Sequence, residues 1–361
     1  MIRVGIVGLG YWGPNLVRVL SGFRDCQVTV LCDLNPRRLK EFAERFPQVA
    51  VTNDADRLWQ GDEVDAVVVA TPTKTHYRLA RRALEAGLHV FVEKPLATSV
   101  EECEELIQLA DACRRVLFVG HVFLYSAPVA KLREMVGSGE LGDLYYISSS
   151  RRNLGPVRHD VSALWDLAPH DVSIMLELMG STPVSVSCAG LAYLNPKIHD
   201  VCTLSIRFEQ NRMGIVHVSW LDPHKHREMT VVGSRKMAVY NDLEPQEKIK
   251  VYDTGVAGPT YCESFGEFQF SYRYGDTYSP RLAEVEPLKA ECRSFLDAIV
   301  HATVPKTDGR NGLEVVRVIE AADKSLHDHC GEIPIEVTTG ASAKGVAVQR
   351  AAAGALVETL R

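Results

Sequence analysis

Several features that would place this chain in a specialised class are missing from its 361 residues. No apolar run reaches the ~18 residues that a membrane-spanning helix needs, so we expect no membrane partner. No dense stripe of lysine and arginine is present, and the net charge is −6, which argues against a nucleic-acid partner. The composition is otherwise ordinary for a globular protein, and we expect a small molecule as its partner.

The nine cysteines form no CxxC pair and no pattern of a disulfide framework or zinc ribbon. Scattered in an odd number, they are typical of reduced thiols. The chain begins directly with a strand pattern, without the layout of a signal peptide, and we expect a cytoplasmic protein. His224 and His226 resemble a metal pair, but no further ligands follow at standard spacing. We therefore expect no metal site.

The hydrophobic pattern divides the chain into two parts, and the predicted fold class is α/β. From residue 1 to 122, short apolar runs alternate with amphipathic helix patterns, which predicts a doubly wound parallel sheet that binds a dinucleotide. Residues 123 to 336 predict a second, α+β domain with a large, mainly antiparallel sheet. Residues 337–361 are rich in Ala, Gly, Ser and Thr, which predicts a loosely ordered tail. Helices are expected at residues 15–20, 36–46, 77–86, 100–113, 127–136, 168–178, 287–301 and 312–330.

A glycine fingerprint, GLGYWG, lies between the first strand and the first helix. A lone G-x-G-x-x-G is weak evidence, but this position is the one that a dinucleotide site requires. Gly8 is expected to allow a tight turn, Gly10 to let a pyrophosphate approach the backbone, and Gly13 to let the helix pack on the strand. Backbone N–H groups at the start of the helix would bind the phosphates.

The acid that follows the second strand predicts which dinucleotide binds. Asp33 can accept hydrogen bonds from a ribose 2′-hydroxyl and would repel a 2′-phosphate, so NAD is favoured and NADP is the less favoured cofactor. Arg37 and Arg38 leave an alternative, because a nearby arginine can bind that phosphate. Both also fit a solvated helix face.

Ligands of doubly wound sheets bind beyond the carboxyl ends of the strands. Lys94 stands at such an end, in the segment HVFVEKPLA, and Pro95 restrains the turn that follows, with a cis bond as one option. The candidate cofactor-binding residues at the fingerprint and the strand ends are Gly8, Gly10, Tyr11, Trp12, Gly13, Asp33, Thr71, Pro72, His76, Glu93, Lys94 and His121.

A second group of candidates lies in the segment ALWDLAPHDVSIMLELMG. Asp166 and His170 are four residues apart, so in a helix their side chains share a face. Oxidation of an alcohol needs a group that takes the hydroxyl proton, and a histidine with a pKa of ~6.5 suits this task. The ammonium of Lys94 beside the same oxygen would stabilise a developing alkoxide. Alternatively, Asp166 caps the helix and His170 is an interior histidine.

The segments GIVGLGYWG, FVEKPLA and WDLAPHDVSIMLELMG together resemble the Gfo/Idh/MocA oxidoreductases, the group of glucose–fructose oxidoreductase and inositol dehydrogenase. The resemblance extends to about residue 336, and its most specific element is the Glu-Lys-Pro triplet. It implies a Rossmann domain and an open-sheet domain that often forms the oligomer interface, so a homodimer or homotetramer is expected. It also implies catalysis by Lys94 and by His170, with Asp166, of the D-x-x-x-H motif.

The chain departs from this family in one place, because Ala163-Leu164-Trp165 stands where many relatives carry glycines. A family-average substrate pocket is therefore not expected. Other segments look most like members that act on nucleotide-activated or amino sugars. Arginine forks suit phosphates and carboxylates, although Arg151 and its neighbours are also compatible with a solvated strand end. The candidate substrate-binding residues are Lys94, Arg152, Asn153, Arg158, Asp166 and His170.

The leading functional hypothesis is an NAD-dependent dehydrogenase or reductase of a sugar. One alternative is an NAD-dependent glycosidase that abstracts and returns a hydride, as some branches of the family do. Another is a sensor that binds a dinucleotide without turnover, against which the intact catalytic residues argue. Formation of net reduced nicotinamide separates the dehydrogenase from the glycosidase.

Overall fold

The computed structural model describes residues 1–257 and 271–336. The tail predicted at 337–361 lies outside these ranges. A parallel sheet in the order β3-β2-β1-β4-β5-β6 forms the first part, as expected for a doubly wound dinucleotide-binding fold. Its strands are β1 Ile2–Val7, β2 Cys26–Cys32, β3 Ala50–Thr52, β4 Ala66–Val69, β5 His89–Glu93 and β6 Leu117–Gly120.

The central strands of this sheet are buried because helices cover both faces. All four residues of β4 are buried, as a parallel strand between two helical layers requires. Side-chain caps mark where several helices begin: Asn35 caps α2 and Ser99 caps α5. The helices of this part are α1 Gly13–Leu20, α2 Pro36–Arg45, α3 Asp56–Gln60, α4 His76–Glu85 and α5 Val100–Cys113.

The second sheet has the order β14-β13-β12-β11-β7-β10-β9-β8-β15. Its neighbours are antiparallel except β7 and β10, which run parallel, so the predicted large, mainly antiparallel sheet is confirmed. Strands β14 and β15 were not predicted. The strands are β7 Leu144–Leu154, β8 Pro183–Leu191, β9 Val201–Phe208, β10 Arg212–Ser219, β11 Leu221–Gly233, β12 Met237–Asn241, β13 Ile249–Ala257, β14 Ser271–Tyr278 and β15 Ile333–Pro334.

The helices of the second part include one whose predicted start was wrong. The helix that carries Asp166 begins at Ala163 rather than Ala168, because the hydroxyl of Ser162 accepts a hydrogen bond from the Trp165 N–H and caps it. Asp166 is therefore not the cap. No helix among the described residues is long and apolar enough to cross a membrane. These helices are α6 Ala127–Gly137, α7 Ala163–Met179, α8 Pro287–His301 and α9 Gly309–His327.

Helix α8 returns from the second sheet to cover the first one. The ring of Phe295 packs edge-on against Phe91 of β5 and Phe118 of β6, with ring centroids 5.6 and 5.5 Å apart. All three rings are fully buried. This aromatic cluster therefore ties the last part of the described chain to the centre of the parallel sheet.

Removal of the Phe295 ring tests how strongly this cluster holds α8. Phe295→Ala is expected to lower the free energy of unfolding by about 3–5 kcal/mol, because it removes a buried ring and leaves a cavity. The measurement is chemical denaturation. Val300→Ala, at a position of α8 that is 58% exposed, is the control and should leave stability nearly unchanged. A Phe295 variant as stable as the parent would show that α8 contributes little to the fold.

Candidate functional site

The fingerprint turn has the geometry that a bound pyrophosphate requires. Gly8 has a φ of +99°, and a Cβ there would lie 2.5 Å from the carbonyl oxygen of Ala70. A Cβ on Gly13 would overlap the carbonyl oxygen of Gly8. At Gly10, by contrast, a Cβ would meet no described atom within 4 Å. The turn is thus closed against its own backbone and open at Gly10, where a ligand can approach.

Asp33 stands beside this turn and braces it. One of its oxygens accepts a 2.6 Å hydrogen bond from the Leu9 N–H, and the other accepts one of 2.7 Å from the Asn35 N–H. Arg37 is exposed, and Arg38 pairs with Glu41 at 3.3 Å on the surface of α2. Asp33 therefore has the fixed position, and the two arginines do not pair with it.

His76 links two loops at the strand ends instead of facing outward. Its Nδ1 lies 2.8 Å from the Pro95 carbonyl oxygen, and its Nε2 lies 2.8 Å from that of Thr71. The ring is only 1% exposed, so His76 positions these loops and offers little surface to a cofactor. The Lys94–Pro95 bond is cis. Tyr11, at the tip of the fingerprint, is 90% exposed.

Lys94 and Asp166 meet at the centre of the candidate site. The ammonium of Lys94 donates a 2.6 Å hydrogen bond to the Asp166 carbonyl oxygen and lies 3.6 Å from its carboxylate. Burial lowers the pKa of Lys94, while the charges of Asp166 and Glu93 oppose this shift. The lysine side chain is 15% exposed, so the ammonium is largely removed from water but paired.

The carboxylate of Asp166 is held from two further sides. Arg158 donates to Oδ1 at 3.3 Å, and the indole N–H of Trp220 donates to Oδ2 at 3.3 Å. Arg158 is itself fixed by Asp160, to which it donates two hydrogen bonds of 2.9 and 2.6 Å. Hydrogen bonding to Asp160 raises the pKa of Arg158, so its charge is secure. Two donors thus fix the carboxylate beside Lys94.

His170 lies on the same helix, one turn further on. Its ring packs edge-on against Phe123 at 5.1 Å, and the guanidinium of Arg151 covers that phenyl ring at 4.6 Å. Burial, together with the positive charges of Lys94 and Arg151, lowers the pKa of His170 well below its ordinary 6.5. Its Nδ1 is buried and has no hydrogen-bond partner among the described residues. The ring is therefore neutral at pH 7 and free to accept a proton.

Arg151 supports this arrangement through a buried ion pair. It binds the carboxylate of Asp171 at 2.6 and 3.3 Å, and Ser149 donates to the same carboxylate at 2.6 Å. Arg151 is 5% exposed, so it is neither a solvated surface residue nor a free substrate ligand. Strand alternation in β7 could have indicated this, because residues 149 and 151 share one face.

Two of the predicted substrate ligands are not brought to this cluster. Arg152 follows Arg151 in β7 and so points to the opposite face, where it binds Asp222 at 2.7 Å. The side-chain amide of Asn153 donates to the carbonyl oxygen of Gly155. No pattern in the sequence indicates Trp220, which reaches Asp166 from 54 residues away.

His121 follows β6 and is almost completely buried. Both of its ring nitrogens lack a hydrogen-bond partner in the described part of the chain. Burial, with a smaller contribution from Lys94, lowers the pKa of His121 to about 3, so the ring is neutral at pH 7. It contributes an uncharged wall behind Lys94 rather than an exposed ligand.

Comparison with known proteins supports this arrangement of two domains. Residues 2–121 match the family described as an oxidoreductase family with an NAD-binding Rossmann fold, and residues 129–239 match the GFO/IDH/MocA C-terminal domain. The UDP-N-acetylglucosamine 3-dehydrogenase of Acidithiobacillus ferrooxidans is 31% identical over 87% of this chain and 94% of its own. The myo-inositol 2-dehydrogenase of Thermotoga maritima is 24% identical over 91% and 97%, respectively.

Solved structures show the same fold. The Acidithiobacillus ferrooxidans enzyme superposes with a TM-score of 0.77 and 24% identity, covering 91% of this chain and 99% of that one. GenD2 from gentamicin A biosynthesis, solved in complex with NAD, has a TM-score of 0.78 and 23% identity, covering 93% and 97%. The predicted family, fold class and NAD cofactor are thereby confirmed. The chain belongs to the Gfo/Idh/MocA family of NAD-binding oxidoreductases, which act on CH–OH groups.

Proposed function

We propose that this oxidoreductase transfers a hydride between nicotinamide and a secondary alcohol or ketone of a sugar, and that the sugar is nucleotide-linked or an amino sugar. The observation that carries this proposal is the contact of Lys94 with Asp166, one helical turn before His170. A buried ammonium and a neutral imidazole beyond the strand ends are the two groups that oxidation of an alcohol needs.

The residues around the fingerprint fit NAD. Gly10 leaves open space, the first N–H groups of α1 have no side-chain cap, and Asp33 is fixed where a ribose hydroxyl would bind. When bound, NAD supplies the acceptor or donor of the hydride. Thr71 and Pro72 follow β4, and Glu93 ends β5, so all three stand at the edge of the sheet where we expect the cofactor.

The catalytic residues divide the proton chemistry between them. His170 is neutral at pH 7 because burial and positive neighbours disfavour its protonation, so it can take the hydroxyl proton of the substrate. Lys94 stabilises the oxygen as it becomes negative, since its charge is paired but not neutralised by Asp166. Asp166 holds Lys94 and is itself held by Arg158 and Trp220, so the geometry is set before substrate arrives.

The choice of a nucleotide-linked or amino sugar rests on similarity and charge. The Acidithiobacillus ferrooxidans relative, which is 31% identical, is a dehydrogenase of UDP-N-acetylglucosamine. Arg158, with its side chain 34% exposed, is the cation at the site that a substrate can still reach. Its two partners leave part of its fork available for a phosphate or carboxylate.

We also propose a cytoplasmic homodimer or homotetramer formed through the second sheet. Tyr146 of β7 and Met213 of β10 are paired in register and remain 37% and 39% exposed. Large apolar side chains at adjacent positions of an open sheet face favour association.

A screen of sugars tests the substrate class and the cofactor together. The panel comprises UDP-N-acetylglucosamine, free N-acetylglucosamine and myo-inositol, each supplied with NAD or NADP. We expect reduced nicotinamide to form fastest with the nucleotide-linked sugar, and with NAD rather than NADP because Asp33 repels a 2′-phosphate. Faster reaction with NADP would indicate that Arg37 or Arg38 binds the 2′-phosphate and determines the cofactor preference. Cleavage of a glycoside without net reduced nicotinamide would favour the glycosidase alternative.

The role of His170 is tested by substitution and by pH. His170→Asn is expected to lower the rate of hydride transfer about 10²–10⁴-fold, with NAD binding nearly intact. In the parent, kcat/KM for oxidation should fall with acid only below pH 6.5, because the lowered pKa of His170 keeps the ring neutral until then. His224→Asn, at an exposed position of β11, is the control. Near-parental activity of His170→Asn would show that His170 is an interior histidine without a catalytic role.

The role of Lys94 is tested in the same assay. Lys94→Met keeps much of the apolar stem and is expected to lower single-turnover hydride transfer about 10²–10³-fold with little change in Tm. Lys94→Arg should also fail, since a planar fork cannot replace a compact ammonium. Lys40→Met removes an exposed lysine of α2 and is the control. If Lys94→Met transferred hydride at the parental rate, Lys94 would have no catalytic role and the site would only bind a cofactor.

A further inference from the structure

Two glutamates near Lys94, Glu93 and Glu291, have buried carboxyl oxygens without a hydrogen-bond partner among the described residues. Glu291 of α8 is 0% exposed, and neither of its oxygens has a hydrogen-bond partner among the described residues. Glu93 is the residue before Lys94, and its Oε1 is also buried without a hydrogen-bond partner among the described residues. Buried carboxyl oxygens without partners are rare and costly unless they hold a proton or a water molecule.

The packing of α8 on β5 brings the two side chains to the same region. Glu93 lies two residues after Phe91 and so shares its face of β5. Glu291 lies one turn before Phe295 on α8, and the Phe91 and Phe295 rings are in contact at 5.6 Å. Gly120 of β6 provides space for the Glu93 carboxylate, because a Cβ at this position would lie 3.0 Å from Glu93 Oε2.

Few groups nearby can compensate these charges. Lys94 is the cation that acts on Glu93, and the side chain of Trp12 also lowers the pKa of this carboxyl. Around Glu291 lie the thiol of Cys292 and the hydroxyl of Tyr125, and the negative charge of Glu291 raises the pKa of both groups, in addition to the effect of their burial. Neither group carries a positive charge. The other charged or titratable groups that act on Lys94 are Asp166, Arg158, Arg151, His76, His121 and His170.

The environment disfavours two negative charges at this place. Burial raises the pKa of Glu93 to about 7, with Lys94 acting in the opposite direction. Burial and the charge of Glu93 raise the pKa of Glu291 well above its ordinary 4.5. Two such groups titrate as a unit, and the proton that leaves first comes from the member nearer a cation.

We propose that Glu93 and Glu291 form a buried carboxyl pair that carries a single negative charge beside Lys94, with Glu291 as a positioning residue that acts through Glu93. The pair keeps one proton. The remaining negative charge pairs with the Lys94 ammonium in addition to the charge of Asp166. This inference rests on the proposed catalytic role of Lys94. It extends the active site to a helix 198 positions further along the chain (291 − 93).

The proton itself can be observed in the full-length parent protein. Infrared spectroscopy with isotope-labelled glutamate is expected to show a protonated carboxyl band at pH 8 that is absent in Glu291→Gln. Absence of the band in the parent would overturn the proposal, whether or not any variant folds. The measurement needs no substrate, so it is independent of the proposed sugar oxidation.

The pH dependence of stability gives a second measure of the same proton. A carboxyl whose pKa is raised on folding destabilises the fold increasingly as pH rises above its unfolded value of ~4.3, until its folded pKa is reached. Glu291→Gln removes this effect, so the difference in Tm between variant and parent should grow from pH 5 to pH 8. A difference that does not change with pH would contradict a protonated Glu291. Asp297→Asn, on the same helix but half-exposed, is the control and should give a constant difference.

The charge of Lys94 is read by trace labelling with acetic anhydride and mass spectrometry of the peptide that contains it. Glu93→Gln is expected to raise the acetylation rate of Lys94 at a fixed pH about tenfold, because a nearby opposite charge is lost. Glu291→Met should raise it as well, since Glu93 loses the polar neighbour that stabilises its charge, whereas Glu291→Gln should restore the parental rate. A purely structural Glu291 would leave the acetylation rates of the parent, Glu291→Met and Glu291→Gln equal, and that result would overturn the proposal.

Discussion

The contact between the Lys94 ammonium and the backbone and carboxylate of Asp166 joins the end of the parallel strand β5 to helix α7 of the second part, at the centre of the candidate site. Lys94 is delivered by the last residues of a buried parallel strand, and Asp166 by the first turn of α7. The Lys94 ammonium is tolerated at such depth because the charges of Asp166 and Glu93 support it, since an unpaired buried charge is strongly disfavoured. The pairing of Lys94 with Asp166 therefore fixes both the orientation of the two parts and the geometry of the site.

Charge around this contact is distributed so that each group keeps the protonation state that the proposed reaction requires. Asp166 and Glu93 support the ammonium of Lys94, while Arg158 and Arg151 oppose it. The same cations and the surrounding apolar walls keep His170 neutral. Arg151 is satisfied by its own carboxylate partner, so it exerts a field on the histidine without binding it. A neutral base and a charged lysine therefore coexist within one small volume.

Much of this could be predicted from the sequence because the signals are local. Continuous apolar runs indicate buried parallel strands, and strand order places Lys94 at the crevice. The start of α7 was predicted wrongly because apolar periodicity was given more weight than the cap at Ser162. The partners that reach the site from a distance, Trp220 and Glu291, could not be predicted, since nothing in their own segments indicates which strand or loop they will meet.

The return of α8 to the parallel sheet affects how the protein is made. During synthesis the strands that carry Phe91 and Phe118 leave the ribosome long before Phe295, which covers them in the finished protein. An apolar face of the dinucleotide-binding sheet therefore stays uncovered until a helix 177 residues further along the chain (295 − 118) has been synthesised. Although domains usually fold as units from the N-terminus, this one is completed only when the second has been synthesised.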